Sequence, residues 1–197
     1  ILSGGPASVY AKGAPTLDKR IFDANIPILG LCYGMQLITH LHGGEVARAD
    51  KQEFGKASLK LDKKDSLIFK NIPDNTIVWM SHADHVNKMA EGFEIIAHTD
   101  SSIAAIENRD KKIYAFQYHP EVTHSEHGFE MLKNFVFEIA GAEKNWSMEN
   151  YIETIVKEIK EKVGDKKVIL GLSGGVDSSV DAMLINKAIG KKITSIF

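Results

Sequence analysis

A single cysteine, Cys32, in a chain of 197 residues excludes an internal disulfide and a zinc centre built on several thiolates. It leaves one reduced thiol, structural or reactive, and a pointer to a reducing, cytoplasmic setting. Charge of one sign is equally scarce. The 24 Lys and Arg against 26 Asp and Glu give a net charge of -2, so the counterion-release term that dominates polynucleotide binding has no basic footprint to act through. Long apolar runs are missing too: no stretch reaches the roughly 18 consecutive apolar residues of a membrane span, and no basic, apolar, small-residue leader is evident. The expectation is a cytoplasmic protein with neither a polynucleotide nor a membrane as partner. What is there, 44% hydrophobic and 25% charged residues, suffices for a substantial core in one domain or two.

Periodicity organises the chain into alternating elements. Residues 16–25 are helix-like, 28–32 a buried strand, and 33–41 a helix stopped by Gly43-Gly44. Short β-branched and aromatic runs at 57–61, 76–80, 93–98, 103–107 and 113–118 predict an added, partly antiparallel set of strands. A helix over 126–140 carries Phe129, Leu132, Phe135, Val136 and Ile139 at helical spacing and ends at Gly141. A first domain is expected to close there, at 1–141. A linker and connecting helix follow at 142–165, the helix at 148–163. A strand over 166–172, a loop and a helix over 180–189 then predict the opening unit of a second parallel α/β domain at 166–197. The ends read as cut: Ile1-Leu2-Ser3-Gly4-Gly5-Pro6 as the end of a strand entering a tight loop, and the last six residues as a strand just begun. The expectation is an internal piece of a longer protein.

The chemistry starts at Gly30-Leu31-Cys32-Tyr33-Gly34. A strand that turns directly into a helix, with glycine two positions either side of the central residue, is the nucleophile-elbow pattern. A thiol there needs activation, since its free pKa near 8.5 leaves only a few per cent ionised at neutral pH. The N-terminus of the following helix supplies part of it. A histidine should supply the rest, and His119 stands out: it ends a strand and is joined through Pro120 to Glu121, which in extended chain projects on the same side and can orient the imidazole. Each residue alone has a structural reading, Cys32 as a small core hydrophobe and His119 with Glu121 as a solvated pair; their coincidence favours a triad. An oxyanion formed on a carbonyl carbon attacked by Cys32 would find the Tyr33 N–H and, from a second glycine-rich loop, the segment Ser3-Gly4-Gly5-Pro6. Gln36, four residues after Cys32 on the elbow helix, can turn its side chain to the pocket. Zinc deaminase chemistry is excluded by the missing cysteines, the α/β-hydrolase order places its acid before the histidine, and the pairs His82/His85 and His124/His127 read as solvated histidines.

Gly4-Gly5-Pro6, Gly30-Leu31-Cys32-Tyr33-Gly34-Met35-Gln36 and His119-Pro120-Glu121 together resemble the signature of the class I, triad-type glutamine amidotransferases. That resemblance implies a mixed sheet flanked by helices, and hydrolysis of the glutamine side-chain amide through a thioester on Cys32, with His119 and Glu121 completing the triad. It assigns oxyanion and glutamine binding to Gly5, Tyr33, Gln36, Ser81 and His82.

A second motif, Ser173-Gly174-Gly175-Val176-Asp177-Ser178-Ser179, follows a strand and opens a helix, so its backbone N–H groups form a cradle for phosphate. The Gly-Lys pair of a Walker A loop is absent. Asp177 beside a polyphosphate suggests Mg²⁺ between them. The run resembles the pyrophosphate loop of the N-type ATP pyrophosphatases, which implies ATP binding at residues 173–179. In this order the two motifs make the whole chain similar to the glutamine-hydrolysing GMP synthetase family. That similarity implies glutamine, ATP and xanthosine monophosphate as substrates, Mg²⁺ with the ATP, no tightly bound cofactor in the glutaminase domain, and a homodimer formed by a region outside these residues. Ala83 and Asp181 depart from the family pattern, which usually has glycine and a small apolar residue there. Two other readings stay open: an amidotransferase serving another adenylating synthetase, and a non-catalytic glutamine-sensing or docking module.

Overall fold

β1 (Ile28–Leu31) is buried at every residue, which an apolar run achieves only in a sheet covered on both faces. The computed structural model describes residues 1–145 and 147–197, the side chains of residues 50 and 51 excepted; residue 146, within the expected linker, lies outside the described residues. It divides into two units, Ile1–Glu143 and Lys144–Phe197.

In the first unit six strands pair in the order β1-β6-β5-β4-β2-β3, where β2 is Glu45–Leu61, β3 Thr76–Lys88, β4 Glu94–His98, β5 Ile103–Asn108 and β6 Ile113–Phe116. β1 and β6 are parallel, with Ile28 opposite Ile113 and Leu31 opposite Phe116; the other pairings are antiparallel. Leu2 bridges Gly30 in parallel on the far side of β1. Strand alternation sends successive side chains to opposite faces. Ile28, Ile113 and Ala115 therefore pack with Met35 and Ile38 of α1 (Tyr33–Leu41), whereas Leu29, Leu31, Tyr114 and Phe116 pack with Met131 of α2 (Gly128–Lys133) and with Phe135 and Ile139 beyond it. The result is a mixed sheet between helices, as expected of the fold class.

Four local expectations are corrected. Residues 16–25 hold only a 3-10 turn, Lys19–Asp23, capped by the Asp18 carboxylate on the Arg20 N–H; Asn25 in the left-handed region and Pro27 stop anything longer. The strands predicted at 57–61 and 76–80 are parts of the much longer hairpin β2–β3, whose register shifts between Arg48 and Glu53. The helix predicted over 126–140 begins at Gly128 and widens into a π-helical turn at Asn134–Ile139. The last helix begins at Val176, not residue 180, so half the phosphate-loop motif is helical.

The second unit pairs β7 (Val168–Gly171) in parallel with β8 (Ile193–Ile196), and holds α3 (Met148–Val163), capped by Ser147 on Asn150 N–H, and α4 (Val176–Ile189). No described helix in either unit is long and apolar enough to cross a membrane.

Candidate active site

The turn from β1 into α1 leaves Cys32 at φ +50°, a conformation that costs a non-glycine residue about 1–3 kcal/mol and persists only where the surroundings enforce it. The two flanking glycines are what enforcement requires. A Cβ on Gly30 would lie 2.7 Å from Ile38 Cδ1 and 2.8 Å from the Gly34 carbonyl, and one on Gly34 would run into the Leu2 backbone. The Cys32 N–H is tied to Phe116 O at 2.7 Å, and its carbonyl accepts from Met35 and Gln36 in the first helical turn. The thiol is thus fixed at the helix N-terminus, 5% exposed, with Sγ 3.8 Å from Ser81 O.

His119 reaches this sulfur from the segment that follows β6. Its backbone N–H bonds to Trp79 O at 3.0 Å, while Ser125 Oγ donates to its carbonyl at 2.6 Å and accepts from Trp79 N at 2.9 Å. These bonds stitch the histidine loop onto β3. The imidazole Nδ1 lies 2.7 Å from Glu121 Oε1, which leaves Nε2 for sulfur. The neighbouring Cys32 side chain is the main influence that pushes the His119 pKa up to about 9, aided by Glu121 and opposed by burial. Gly4 passes over the pair: a Cβ there would sit 3.0 Å from His119 Cε1 and 3.5 Å from Cys32 Cβ.

A cleft of about 290 Å³ opens beside Cys32, lined by Gly5, Gln36, Phe54, Ser81, His82 and Asp84 among others. Four of the residues expected to handle glutamine (Gly5, Gln36, Ser81, His82) therefore surround one cavity with Cys32. Tyr33 is instead turned to the far side of the elbow, where its hydroxyl donates to Pro15 O at 2.5 Å and its ring lines a separate apolar hollow of about 310 Å³. Only its backbone N–H faces the nucleophile's turn, where the first N–H groups of a helix have no intrahelical acceptor. His82 is buried, donates through Nδ1 to Asp84 O at 2.9 Å, and brings Nε2 to 3.4 Å from Glu53 Oε2. Burial lowers its pKa, against the pull of Glu53. The Asp84 carbonyl also accepts from Gln36 Nε2 at 2.9 Å.

Sequence reasoning missed three neighbours of the site. Gln117 is fully buried with its side chain on Cys32; its signal was the two-residue spacing to His119. Glu53 and Phe54 come from the irregular half of β2 and approach only because the hairpin folds over the cleft; nothing local marks them.

In the second unit the 173–179 run forms an exposed turn. Gly174 lies at φ +78° and Gly175 caps α4; Ser173 Oγ and Ser178 Oγ are 3.0 Å apart, and Ser179 Oγ donates to Gly175 O at 2.8 Å. A Cβ on Gly174 would meet nothing within 4 Å, and the Gly175 N–H donates to Ser173 Oγ at 3.4 Å. Asp177 stands in the first turn of α4.

Comparison with known proteins shows the family. Residues 1–139 match the glutamine amidotransferase class-I family model, and residues 148–196 match the NAD synthase model. The chain is 78% identical over all its 197 residues to a glutamine-hydrolysing GMP synthase of Fusobacterium nucleatum, and 56% identical over 198 aligned positions to that of Aquifex aeolicus. It spans 38% and 39% of their respective lengths. A glutamine amidotransferase structure from Thermotoga maritima superposes with a TM-score of 0.54 at 18% identity, over 96% of this chain and 69% of that one, a likeness of fold. With its first 139 residues matched by that family model, the chain belongs to the class I glutamine amidotransferases.

Proposed function

We propose that Cys32, His119 and Glu121 hydrolyse glutamine to glutamate and ammonia. The observation that carries this reading is the His119 imidazole bonded through Nδ1 to Glu121 at 2.7 Å and packed with Cys32 under Gly4, surroundings that push its pKa up to about 9. An imidazolium beside sulfur favours the nucleophilic thiolate. Sγ adds to the side-chain carbonyl carbon of glutamine, the oxyanion is received by the Tyr33 N–H and the Gly5 loop, and His119 passes its proton to the departing ammonia. The resulting thioester is attacked by water that His119 deprotonates, releasing glutamate and the thiolate. Glu121 holds Nδ1 and so keeps Nε2 toward the reacting atoms. Gln36, Ser81 and His82 line the cleft that takes the amino-acid end of the substrate.

In a protein of the full length of its relatives, the ammonia would aminate xanthosine monophosphate adenylated by ATP, yielding GMP, AMP and pyrophosphate, which is a ligase reaction of purine biosynthesis in the cytoplasm. The relatives' names and the 173–179 loop support this step. The exposed turn at Ser173, Gly174, Gly175 and Val176 suits pyrophosphate, which would take the Gly175 N–H from Ser173 Oγ, with Ser178 and Ser179 at the helix start. Asp177 would hold Mg²⁺ together with the substrate phosphates, since Mg²⁺ is ordinarily bound by one or two carboxylates, phosphates and water. A homodimer built by residues outside this chain belongs to the same reading, tested by sizing the full-length protein. The match of residues 148–196 to the NAD synthase model also admits an amidotransferase that serves another adenylating enzyme; xanthosine monophosphate-dependent ATP cleavage by the full-length protein distinguishes the two.

The decisive test for the glutaminase step is labelling of Cys32 by a diazo-ketone analogue of glutamine, with and without free glutamine, on the wild-type chain and on His119→Ala. Fast labelling that glutamine blocks and His119→Ala slows is expected. Labelling of the folded chain that is indifferent to both overturns the reading.

A further inference from the structure

Besides His119, its neighbour under Gly4, two groups face Cys32 Sγ among the described residues. The first is the Ser81 carbonyl oxygen, an acceptor that suits the thiol and repels a thiolate. The second is the side-chain amide of Gln117, whose Nε2 lies 3.8 Å from Sγ. Gln117 is fully buried, in the extended segment between β6 and His119, with its backbone N–H on Ala104 O at 2.8 Å. A buried primary amide is placed there at a cost unless its groups are paired.

The orientation of that amide follows from a chain of bonds anchored on backbone. The Asp84 carbonyl accepts from Gln36 at 2.9 Å, and a carbonyl pairs only with an N–H, so the NH₂ end of Gln36 must face it. The same nitrogen lies 3.3 Å from the Gln117 side chain, and its second N–H requires an acceptor there, which selects Oε1 of Gln117. The NH₂ end of Gln117 is thereby turned to Sγ. An ionised sulfur gains a donor from this arrangement and a neutral thiol gains little, because hydrogen bonds to charged acceptors are the stronger class.

We propose that Gln117 is a further catalytic residue, whose side-chain N–H donates to the Cys32 sulfur and favours its thiolate, with Gln36 and the Asp84 carbonyl holding the amide in that orientation. This rests on the glutaminase reading and assigns a task to a residue outside the triad. It also gives Gln36 a part beyond lining the cleft: its Nε2 is spent on Asp84 and Gln117, so only its Oε1 is left for substrate.

The test uses Gln117→Met and Gln117→Leu in the purified 197-residue chain, with iodoacetamide as the thiol probe and circular dichroism as the fold check. Both variants lose the donor, but only the methionine keeps the volume. Labelling of Cys32 near pH 7 is expected to slow roughly tenfold in both, by the same factor, and to converge on the wild-type rate in strong alkali, where every thiol is ionised. Glutamine turnover is expected to lose kcat by a similar factor with KM changed less than about twofold, as for an interaction felt at the reacting atoms. Gln36→Met, which leaves Gln117 in place but unlatched, is expected to slow labelling by a smaller factor. Wild-type labelling rates in folded variants, or a loss that follows side-chain volume instead of the donor, overturn the proposal. If either glutamine variant fails to fold, the other and Gln36→Met decide. Failure of glutamine to protect the wild-type chain counts against the glutaminase reading and leaves the labelling comparison standing.

Discussion

Replacing Cys32 by alanine should release His119. The imidazole is 19% exposed on its side chain, and its pKa rises from 6.5 to about 9 mainly through the Cys32 side chain, against desolvation and with lesser help from Glu121. At about 1.4 kcal/mol per unit, that rise represents on the order of 3 kcal/mol of preference for the protonated ring. Alanine carries the same penalty as cysteine at φ +50°, so the elbow is not further strained, while the sulfur that holds the proton is gone. With the largest cause gone, the His119 titration followed by NMR on its ring proton should fall from about 9 back toward 6.5. A midpoint that stays near 9 in Cys32→Ala would show that Glu121 holds the proton, and the ion-pair account of the site would be lost. On the proposed mechanism the same shift sets an alkaline limit: the His119 imidazolium that would supply the leaving proton is lost as pH rises through about 9, so glutaminase turnover should decline through that value.

Two further outcomes follow from the packing. Gly30→Ala puts a methyl 2.7 Å from Ile38 Cδ1 and 2.8 Å from the Gly34 backbone; overpacking of this kind should cost about 1–3 kcal/mol in urea unfolding and displace the thiol, and an unchanged midpoint would mean that the elbow yields more easily than its geometry implies. Burial pushes the Glu53 carboxyl up, but hydrogen bonds from Ser102, Ser101 and Thr99 and the nearby His82 outweigh it and hold it below its ordinary 4.5. A depressed folded pKa contributes stability that is present above about 4.5 and lost as pH falls through the folded value. Glu53→Gln should therefore cost about 1–2 kcal/mol at pH 7 and progressively less in acid, and a loss independent of pH would point to shape, not charge.

The elbow was legible because its causes are local. Two glycines, a cysteine between them and an apolar run before them specify a strand-to-helix turn whatever the rest of the chain does, and His119-Pro120-Glu121 couples its acid and base within three residues. The 16–25 stretch misled for the complementary reason. Its spacing suits a helix, but helical stability comes from burying a face, and there Phe22 alone of the 3-10 turn is buried. The length of β3 was hidden because its outer half buries polar side chains, His82 and Asp84, at the alternate positions where an apolar stripe would announce a strand.

The sequence by itself determined the strand-to-helix elbow at Cys32, the pairing of His119 with Glu121 and the glycine turn that opens the last helix, since each is written in residues a few positions apart. Only the tertiary structure decided how the cleft is closed and how the sulfur is surrounded. Gln36, Asp84 and Gln117 are 48 and 81 positions apart along their bonds, and no periodicity joins them. They meet because the parallel pairing of β1 with β6 and the folding of the β2–β3 hairpin across α1 bring three buried polar residues together beside the cleft, and there each finds its partner in another.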